Sequence, residues 1–279
     1  MNFLQQITPV VLTYNEGPNI GRCLQKLTWA SEALVVDSYS DDQTLAICSD
    51  FSNVRVVQRQ FDMHANQWNF AIRDAGVSTD WIIALDADYL LPENFVHELS
   101  LLSPPTHIAG YLCAFRYAIF GKPLRSGVYP STIALFRRAH GHYVQDGHTQ
   151  RVIVDGVLGR IRTPILHDDR KPFARWLHSQ LKYAMLERDK IETTVASGSL
   201  GLKDWLRSKT PFSPIAMALY CLFLRGGVLD GRAGLYYALQ RMVAEAIISA
   251  AIFDAQLRGT QEQLSSNKHE KSGPDQNQC

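Results

Sequence analysis

Two aspartates one residue apart, Asp86 and Asp88, have the clearest capacity for chemistry in this sequence. They directly follow an apolar run at residues 81–85, and Ala87 lies between them. Two carboxylates at this spacing can give oxygen ligands to a hard divalent cation such as Mg²⁺ or Mn²⁺. A bound cation would neutralise charge on a departing diphosphate. The competing interpretation is a solvated turn, and the acids that end other apolar runs favour the metal site.

Polar residues also end two earlier apolar runs. Asp37 closes the run at 33–36, and Thr13, Asn15 and Glu16 stand at the end of the run that begins at Ile7. An acid in the position of Asp37 can accept hydrogen bonds from a ribose hydroxyl or a base N–H, so we expect it to contact a nucleotide. Glu16 could instead be a first-turn residue that favours a helix N-terminus.

The elements that position these residues alternate between strand and helix patterns. Each predicted strand is a continuous apolar run, which indicates a parallel sheet covered on both faces. Ligands of such sheets bind outside the carboxyl ends of the strands, so the acids should meet at one edge. The strands are predicted at residues 7–13, 33–37, 54–57 and 81–86, and the helices at 19–27, 44–51 and 64–75.

The second half of the chain has a different organisation. Short apolar runs with Gly and Pro between residues 110 and 156 predict antiparallel strands and functional loops, and the pattern from 172 to about 257 is mostly helical. We therefore expect an α/β domain over 1–170, a helical extension over 171–258 and a disordered polar tail over 259–279.

Composition excludes several classes of protein. The 279 residues have a net charge of +1, so no global basic field indicates nucleic acid as a partner. Five scattered cysteines without a CxxC pair argue against zinc and disulfides, and predict buried, reduced thiols in a cytoplasmic protein. Neither a signal peptide nor an apolar run of about 18 residues is present, so a spanning helix is not expected.

An apolar run at residues 215–224 allows two interpretations. The favoured one is a helix of the hydrophobic core, and the other is an interfacial helix that docks the protein on a membrane. The second would suit anionic lipid, because basic residues flank the run: Lys203, Arg207, Lys209, Arg225 and Arg232.

Four segments occur in an order typical of family-2 glycosyltransferases with the GT-A fold: VVLTYNE at 10–16, VVDS at 35–38, NQWNFA at 66–71 and LDAD at 85–88. The second half resembles the branch that contains lipopolysaccharide-core β-1,4-glucosyltransferases. That likeness rests on YP at 129–130, LFRR at 135–138, VDG at 154–156, LH at 166–167 and LDGRAG at 229–234.

The resemblance implies an inverting transfer of a hexose from a nucleotide diphosphate-sugar, with UDP as the favoured nucleotide. The acceptor would be a surface glycan, a lipid-linked glycan or the lipopolysaccharide core, with peripheral contact at the inner face of the cell membrane. It assigns the metal to Asp86 and Asp88, and allows His167 as a further ligand. The donor would be bound by Thr13, Asn15, Glu16, Asp37, Gln67, Asn69, Asp86 and Ala87.

The catalytic base is the point where the sequence departs from the family pattern. Similar sequences have a His-Glu pair before Val-Asp-Gly, and here Gln150 occupies the position of the Glu. Asp146 is the favoured base, and His148 is the other candidate, since its unperturbed pKa of about 6.5 suits neutral pH. A non-catalytic nucleotide-sugar-binding pseudoenzyme in a glycan assembly complex remains the alternative function.

Overall fold

The computed structural model describes residues 2–146, 149–196 and 212–271. The chain divides into two compact units. Unit one comprises Met1–Arg175 and Cys221–Tyr237, and unit two comprises Trp176–Tyr220 and Ala238–Cys279.

Unit one is built around a large mixed sheet. Its strands are β1 (Ile7–Thr13), β2 (Ala33–Asp37), β3 (Val54–Gln58), β4 (Trp81–Asp86), β5 (Tyr89–Leu90), β6 (Ile108–Ile119), β7 (Lys122–Pro123), β8 (Thr132–Arg137) and β11 (Val157–His167), whereas β9 (Gly141–Asp146) and β10 (Thr149–Val154) form a separate hairpin. The order across the sheet is β3-β2-β1-β4-β8-β6-β11-β5, with β7 paired to β6.

The first four strands are parallel, as the sequence predicts, and each lies within one residue of its predicted bounds. β1, β2 and β4 are buried along almost their whole length because helices cover both faces of this part of the sheet, whereas the edge strand β3 is partly exposed. The helices of unit one are α1 (Ile20–Gln25), α2 (Thr44–Ser49), α3 (His64–Arg73) and α4 (Glu93–Ser100). The expected α/β architecture, with a mostly parallel sheet and a C-terminal helical region, is confirmed.

The remaining strands extend the sheet with mixed directions. β8 is antiparallel to both of its neighbours, β4 and β6, which agrees with the antiparallel character expected for residues 110–156. β11 then pairs in parallel with β6 over most of its length. Its last residue, His167, pairs with Tyr89 of β5, so the end of β11 lies beside the residues that follow β4.

The core of unit one has two layers, one on each face of the sheet. On one face Phe95 and Leu99 of α4 pack with Leu24 of α1, and on the other Trp68 and Ile72 of α3 lie against the sheet. Three cysteines, Cys23, Cys48 and Cys113, are part of this apolar interior, and Cys221 is also a buried thiol. Cys279 lies outside the described residues.

The C-terminal elements are helical, as expected. They are α5 (Phe173–Ala196), α6 (Ser213–Leu219), a π-helical turn (Tyr220–Leu224), a 3-10 turn (Gly227–Asp230) and α7 (Arg232–Lys271). The backbone of residues 259–271, which the sequence assigned to a disordered tail, continues α7, and 272–279 lie outside the described residues. Within the described ranges, none of the helices is long and apolar enough to cross a membrane.

The core-helix interpretation of residues 215–224 is wrong. None of the residues of α6 is buried, and in the following turn only Cys221 is buried. An apolar composition predicts burial only when another element covers the helix, and the side chains of this segment remain largely exposed to solvent.

We expect Phe95→Ala to destabilise the fold by about 3–5 kcal/mol, because this fully buried ring fills the layer between α4 and the sheet. Urea unfolding of the purified chain measures the loss. Leu101→Ala is the matched control at an exposed apolar position and should change stability by less than about 0.5 kcal/mol. Equal effects of the two changes would contradict the described core.

Candidate donor-binding and catalytic site

The carboxyl ends of β1, β2 and β4 bring the predicted site residues to one edge of the sheet. Thr13 is in register with Asp37, and Leu12 is in register with Asp86. The sequence-based expectation that these strand ends meet is therefore confirmed by the strand pairing. The contacts of each side chain distinguish those that hold the edge together from those that remain available to a ligand.

Asp37 is fully buried, and its carboxylate accepts hydrogen bonds from protein donors. Thr13 Oγ1 donates at 2.9 Å, the Ser40 backbone N–H at 2.8 Å and Ser40 Oγ at 2.5 Å. Gln58 Nε2 adds a longer contact of 3.4 Å. In this structure Asp37 therefore fixes the loop after β2, and Thr13 orients Asp37.

The loop after β1 is joined to the loop after β2. Asn15 has a left-handed backbone (φ 55°), its N–H donates to Ser40 Oγ at 2.8 Å, and its side-chain oxygen accepts from the Asp41 N–H at 2.8 Å. Arg175 donates to the carbonyls of Tyr14 and Asn15. These bonds give the loop one defined conformation.

Glu16 lies in the same loop and forms an ion pair with Lys171 at 2.7 Å. Asn19 Nδ2 donates to its other oxygen at 3.0 Å. Burial raises the pKa of Glu16 to about 7, even though the Lys171 ammonium acts in the opposite direction. Glu16 therefore helps to attach the segment after β11 to the loop after β1.

The two predicted donor-binding amides of α3 are engaged within the protein. Gln67 is buried, donates to Ser38 Oγ at 3.1 Å and accepts from Arg59 at 2.6 Å. Asn69 exchanges two hydrogen bonds of 2.9 Å with the backbone N–H and carbonyl of Tyr143. Their observed role is positional: Gln67 supports the loops after β2 and β3, and Asn69 anchors the β9–β10 hairpin to α3.

The acid pair after β4 has a different environment. Asp88 Oδ2 lies 3.1 Å from His167 Nε2, whereas Asp88 Oδ1 is buried and has no hydrogen-bond partner. His167 Nδ1 is also buried without a partner. Ala87 is buried between the two aspartates and brings no polar side chain. An unsatisfied buried carboxylate oxygen is costly, which indicates a place for a ligand.

The charges of this group are mutually dependent. Burial and the nearby Asp88 charge raise the pKa of Asp86. Burial also opposes ionisation of Asp88, but the adjacent His167 outweighs it and lowers the pKa of that carboxyl. Burial would lower the pKa of His167, and Asp88 reverses the sign, so the imidazole pKa is raised.

The donor set fits a divalent cation in its chemistry, since it offers carboxylate oxygens and one of them is unsatisfied. The described side chains nevertheless contain no group of three or more His, Cys, Asp or Glu arranged to hold a metal ion. Phosphate oxygens of a bound donor could complete the ligands of a cation held by Asp86 and Asp88.

The residue after His167, Asp168, fixes the end of β11. Asp168 is buried and accepts hydrogen bonds from Arg22 at 2.9 Å and from Arg170 at 2.8 Å. Its backbone N–H donates to the Asp88 carbonyl at 3.0 Å. A buried aspartate with two guanidinium partners is a structural ion-pair network that locks the end of β11 against the loop after β4.

Aromatic rings surround His167. The ring of Tyr117 stacks on it with centroids 4.7 Å apart, and Tyr89 and Tyr129 approach it edge-on at 5.3 and 5.5 Å. The hydroxyls of Tyr89 and Tyr129 share a hydrogen bond of 2.5 Å. Sequence reasoning missed this aromatic wall because its members come from separate elements whose proximity depends on the pairing of β5, β6 and β11.

The loop that carries Tyr129 is held by Asp230, which lies in the LDGRAG segment. Asp230 is buried, and its Oδ2 accepts from the backbone N–H groups of Arg125 at 2.8 Å and Ser126 at 3.0 Å. Ser126 Oγ donates to the same oxygen at 2.9 Å. Tyr237 adds to this support, since its hydroxyl accepts from the Val128 N–H at 3.0 Å.

The predicted base lies at the tip of the β9–β10 hairpin. The backbone of Asp146 pairs with that of Thr149, and Gln150 pairs with Gln145. The Asp146 side chain is not among those described, and His148 lies outside the described residues. Gln145 Oε1 accepts from the Ala65 N–H at 3.4 Å, so the hairpin tip approaches the first turn of α3.

Comparison with known proteins agrees with this geometry. The sequence family described as "Glycosyl transferase family 2" matches residues 9–140, which contain the four parallel strands and the acid pair. The lipopolysaccharide core biosynthesis glycosyltransferase LpsC of Rhizobium meliloti (strain 1021) is 26% identical over 262 residues, covering 88% of this chain and 92% of that protein.

Solved structures show a weaker likeness. S. aureus TarS 1-349 in complex with UDP-GlcNAc has a TM-score of 0.48 and 14% identity, over 91% of this chain and 92% of that chain. Glucosyl-3-phosphoglycerate synthase from Mycobacterium tuberculosis has a TM-score of 0.42 and 14% identity, over 71% of this chain and 80% of that chain. Because both TM-scores are below 0.5, no functional conclusion is based on either structure.

The matching family, the curated relative and the acid pair at the carboxyl edge of the sheet agree on one class of protein. Residues 9–140 match the family-2 glycosyltransferases, and the comparisons support a glycosyltransferase, an enzyme that transfers a sugar from a nucleotide-sugar donor.

We expect Asp230→Asn to lower the stability of unit one by about 1–3 kcal/mol, because one buried carboxylate oxygen accepts three hydrogen bonds from the loop before Tyr129. Urea unfolding measures the change. Asp155→Asn makes the same substitution at an exposed position and should have no measurable effect. A stable Asp230→Asn protein would show that this loop does not depend on the carboxylate.

Proposed function

We propose that the protein is an inverting transferase that moves a hexose from a UDP-linked donor to a surface-glycan or lipopolysaccharide-core acceptor. The observation that carries this proposal is the unsatisfied Asp88 oxygen beside Asp86 at the carboxyl edge of the sheet. Support for the acceptor class comes from the relative in Rhizobium meliloti, which is named for lipopolysaccharide core biosynthesis.

Asp86 and Asp88 are the residues that would hold Mg²⁺ or Mn²⁺. His167 would orient Asp88 through Oδ2 and leave Oδ1 for the cation, with donor phosphate oxygens among the remaining ligands. The cation would offset the negative charge of the departing nucleoside diphosphate.

The nucleotide would lie along the loops after β1 and β2. Asn15 and Glu16 carry partly exposed side chains there. Thr13 and Asp37 are buried beneath these loops and hold the loop after β2 in position. Gln67 and Asn69 would act through these loops and the hairpin, because their amides are already bonded within the protein. The donor site is therefore largely preorganised, which lowers the entropic cost of binding.

Asp146 is the proposed base that accepts the proton of the attacking hydroxyl. The hairpin that carries it is anchored beside α3, because Gln145 Oε1 accepts a hydrogen bond from the Ala65 N–H. For His64, burial lowers the pKa and the Asp86 carboxylate partly opposes that effect. A base approaching from the hairpin could act on an acceptor opposite the leaving group.

The family match and the transferase relative favour an active enzyme over a nucleotide-sugar-binding pseudoenzyme. Because the proposed acceptor is attached to lipid, we also propose that the protein works on the cytoplasmic side and contacts the inner face of the cell membrane peripherally.

Thermal unfolding with a panel of UDP- and GDP-sugars, each with and without Mn²⁺, tests donor and metal together. A donor at about 100 times its Kd should add about 2.7 kcal/mol of stability. We expect this stabilisation with a UDP-hexose in the presence of Mn²⁺, and its loss in Asp88→Asn. Asp80→Asn is the exposed control and should keep it. Absence of stabilisation by every nucleotide sugar would refute the donor assignment.

Turnover of the identified donor tests the base. We expect Asp146→Asn to lower kcat by about 10²–10⁴-fold with donor binding retained, because only proton transfer to the base is removed. His148→Gln separates the two candidates: loss of activity in this variant, with a functional Asp146→Asn, would move the base to His148. Inactivity of the parent protein with intact donor binding would favour the pseudoenzyme.

A further inference from the structure

A set of large apolar side chains is exposed on unit one. Phe223 is 66% exposed, Leu224 79%, Val228 56% and Leu229 71%, and we refer to these four residues as the apolar tip. They lie on two consecutive turns, the π-helical turn and the 3-10 turn. Hydrogen bonds from the Gly226 N–H to the Phe223 carbonyl and from the Leu229 N–H to the Gly226 carbonyl close the segment.

The turn between β6 and β7 is attached to the same segment and exposes another ring. Lys122 Nζ donates to the Asp230 carbonyl at 2.6 Å, which places the β6–β7 turn next to the residues that follow the apolar tip. Phe120, two residues earlier in this turn, is 71% exposed. Two separate parts of unit one therefore carry exposed apolar side chains close to one buried anchor, Asp230.

The charge around the apolar tip has one sign. Lys122, Arg125, Arg225 and Arg232 are all exposed. Across residues 119–129 and 222–235 the sole acid is Asp230, which is 2% exposed and directed at backbone N–H groups. Unit one thus presents an apolar surface with basic residues around it and without an exposed acid in these two segments.

Exposed aliphatic and aromatic side chains at this density mark an interaction surface, because water-exposed apolar area is unfavourable in the absence of a partner. Apolar residues flanked by Lys and Arg are characteristic of proteins that lie in the interface of an anionic bilayer. The basic residues suit the lipid phosphates, and the apolar residues suit the upper part of the acyl chains.

We propose that the apolar tip, Phe120 and their basic neighbours form a surface that docks unit one on an anionic lipid bilayer. Phe223, Leu224 and Leu229 insert at the level of the headgroups, while Arg225 and Arg232 contact lipid phosphates. Asp230 holds the surface in place, since it ties the segment to the loop before Tyr129. The inference names the surface for the membrane contact and rests on that part of the proposed function.

Co-sedimentation of the full chain with vesicles tests the surface without donor or acceptor. We expect binding to vesicles of phosphatidylcholine mixed with phosphatidylglycerol to exceed binding to phosphatidylcholine alone by about tenfold or more, and to fall as salt is added. The double variant Leu224→Ser, Leu229→Ser should lose this binding. Its unfolding transition should be unchanged, because both side chains are exposed.

The matched control is the double variant Leu101→Ser, Val157→Ser, which removes equally exposed apolar side chains elsewhere in unit one. Val157 pairs with Ile108, the first residue of β6, and Phe120 follows the last. Val157 and Phe120 are therefore about 40 Å apart along a strand with a rise of about 3.3 Å per residue. The control should bind vesicles like the parent.

Three outcomes would overturn the inference: equal binding to both kinds of vesicle, equal loss in both double variants, or self-association through the apolar tip. Light scattering after size exclusion distinguishes the last, because a dimer that dissociates in Leu224→Ser, Leu229→Ser identifies a second copy of the chain as the partner. Donor stabilisation in the same variant reports separately on the transferase function, so failure of one proposal is distinguishable from failure of the other.

Discussion

The contact between Asp88 and His167 joins the two halves of the site. Asp88 follows the last of the parallel strands, and His167 ends the strand that closes the other side of the sheet. Two aspartates separated by one residue at the edge of a buried sheet are unfavourable because their charges repel. The imidazole offsets part of that repulsion for Asp88, and Arg22 and Arg170 fix the adjoining Asp168. This pairing connects the acid pair to the aromatic wall around His167.

The edge of the sheet separates structural polar groups from those that can serve a ligand. Asp37, Gln67 and Asn69 have their hydrogen bonds satisfied inside the protein, so they define the shape of the edge at little cost. Asp88 retains an oxygen without a partner, which is a cost that a soluble fold normally avoids. The difference explains why polar residues at similar strand ends need not have similar roles.

The sequence predicted the parallel strands within a residue because strands buried on both faces are continuous apolar runs, and Asp37 and Asp86 mark their ends. It did not predict β11, where Gly159, Arg160 and Arg162 interrupt the apolar pattern on a half-covered strand. The sequence also did not predict the environment of His167, because that environment forms only when strands that are distant in sequence pair with one another. Residues 215–224 were misjudged since composition does not reveal whether a helix is covered.

The β9–β10 hairpin is attached to α3 in a way that allows the residues at its tip to change. Asn69 binds the main chain of Tyr143 and not its side chain, so this particular anchor does not depend on which residues occupy the hairpin tip. An acid can therefore migrate from one tip position to another over evolutionary time without loss of the anchoring bonds. Under the proposed function, with Asp146 as the base across the same turn from Gln150, such drift would account for the absence of an acid at position 150.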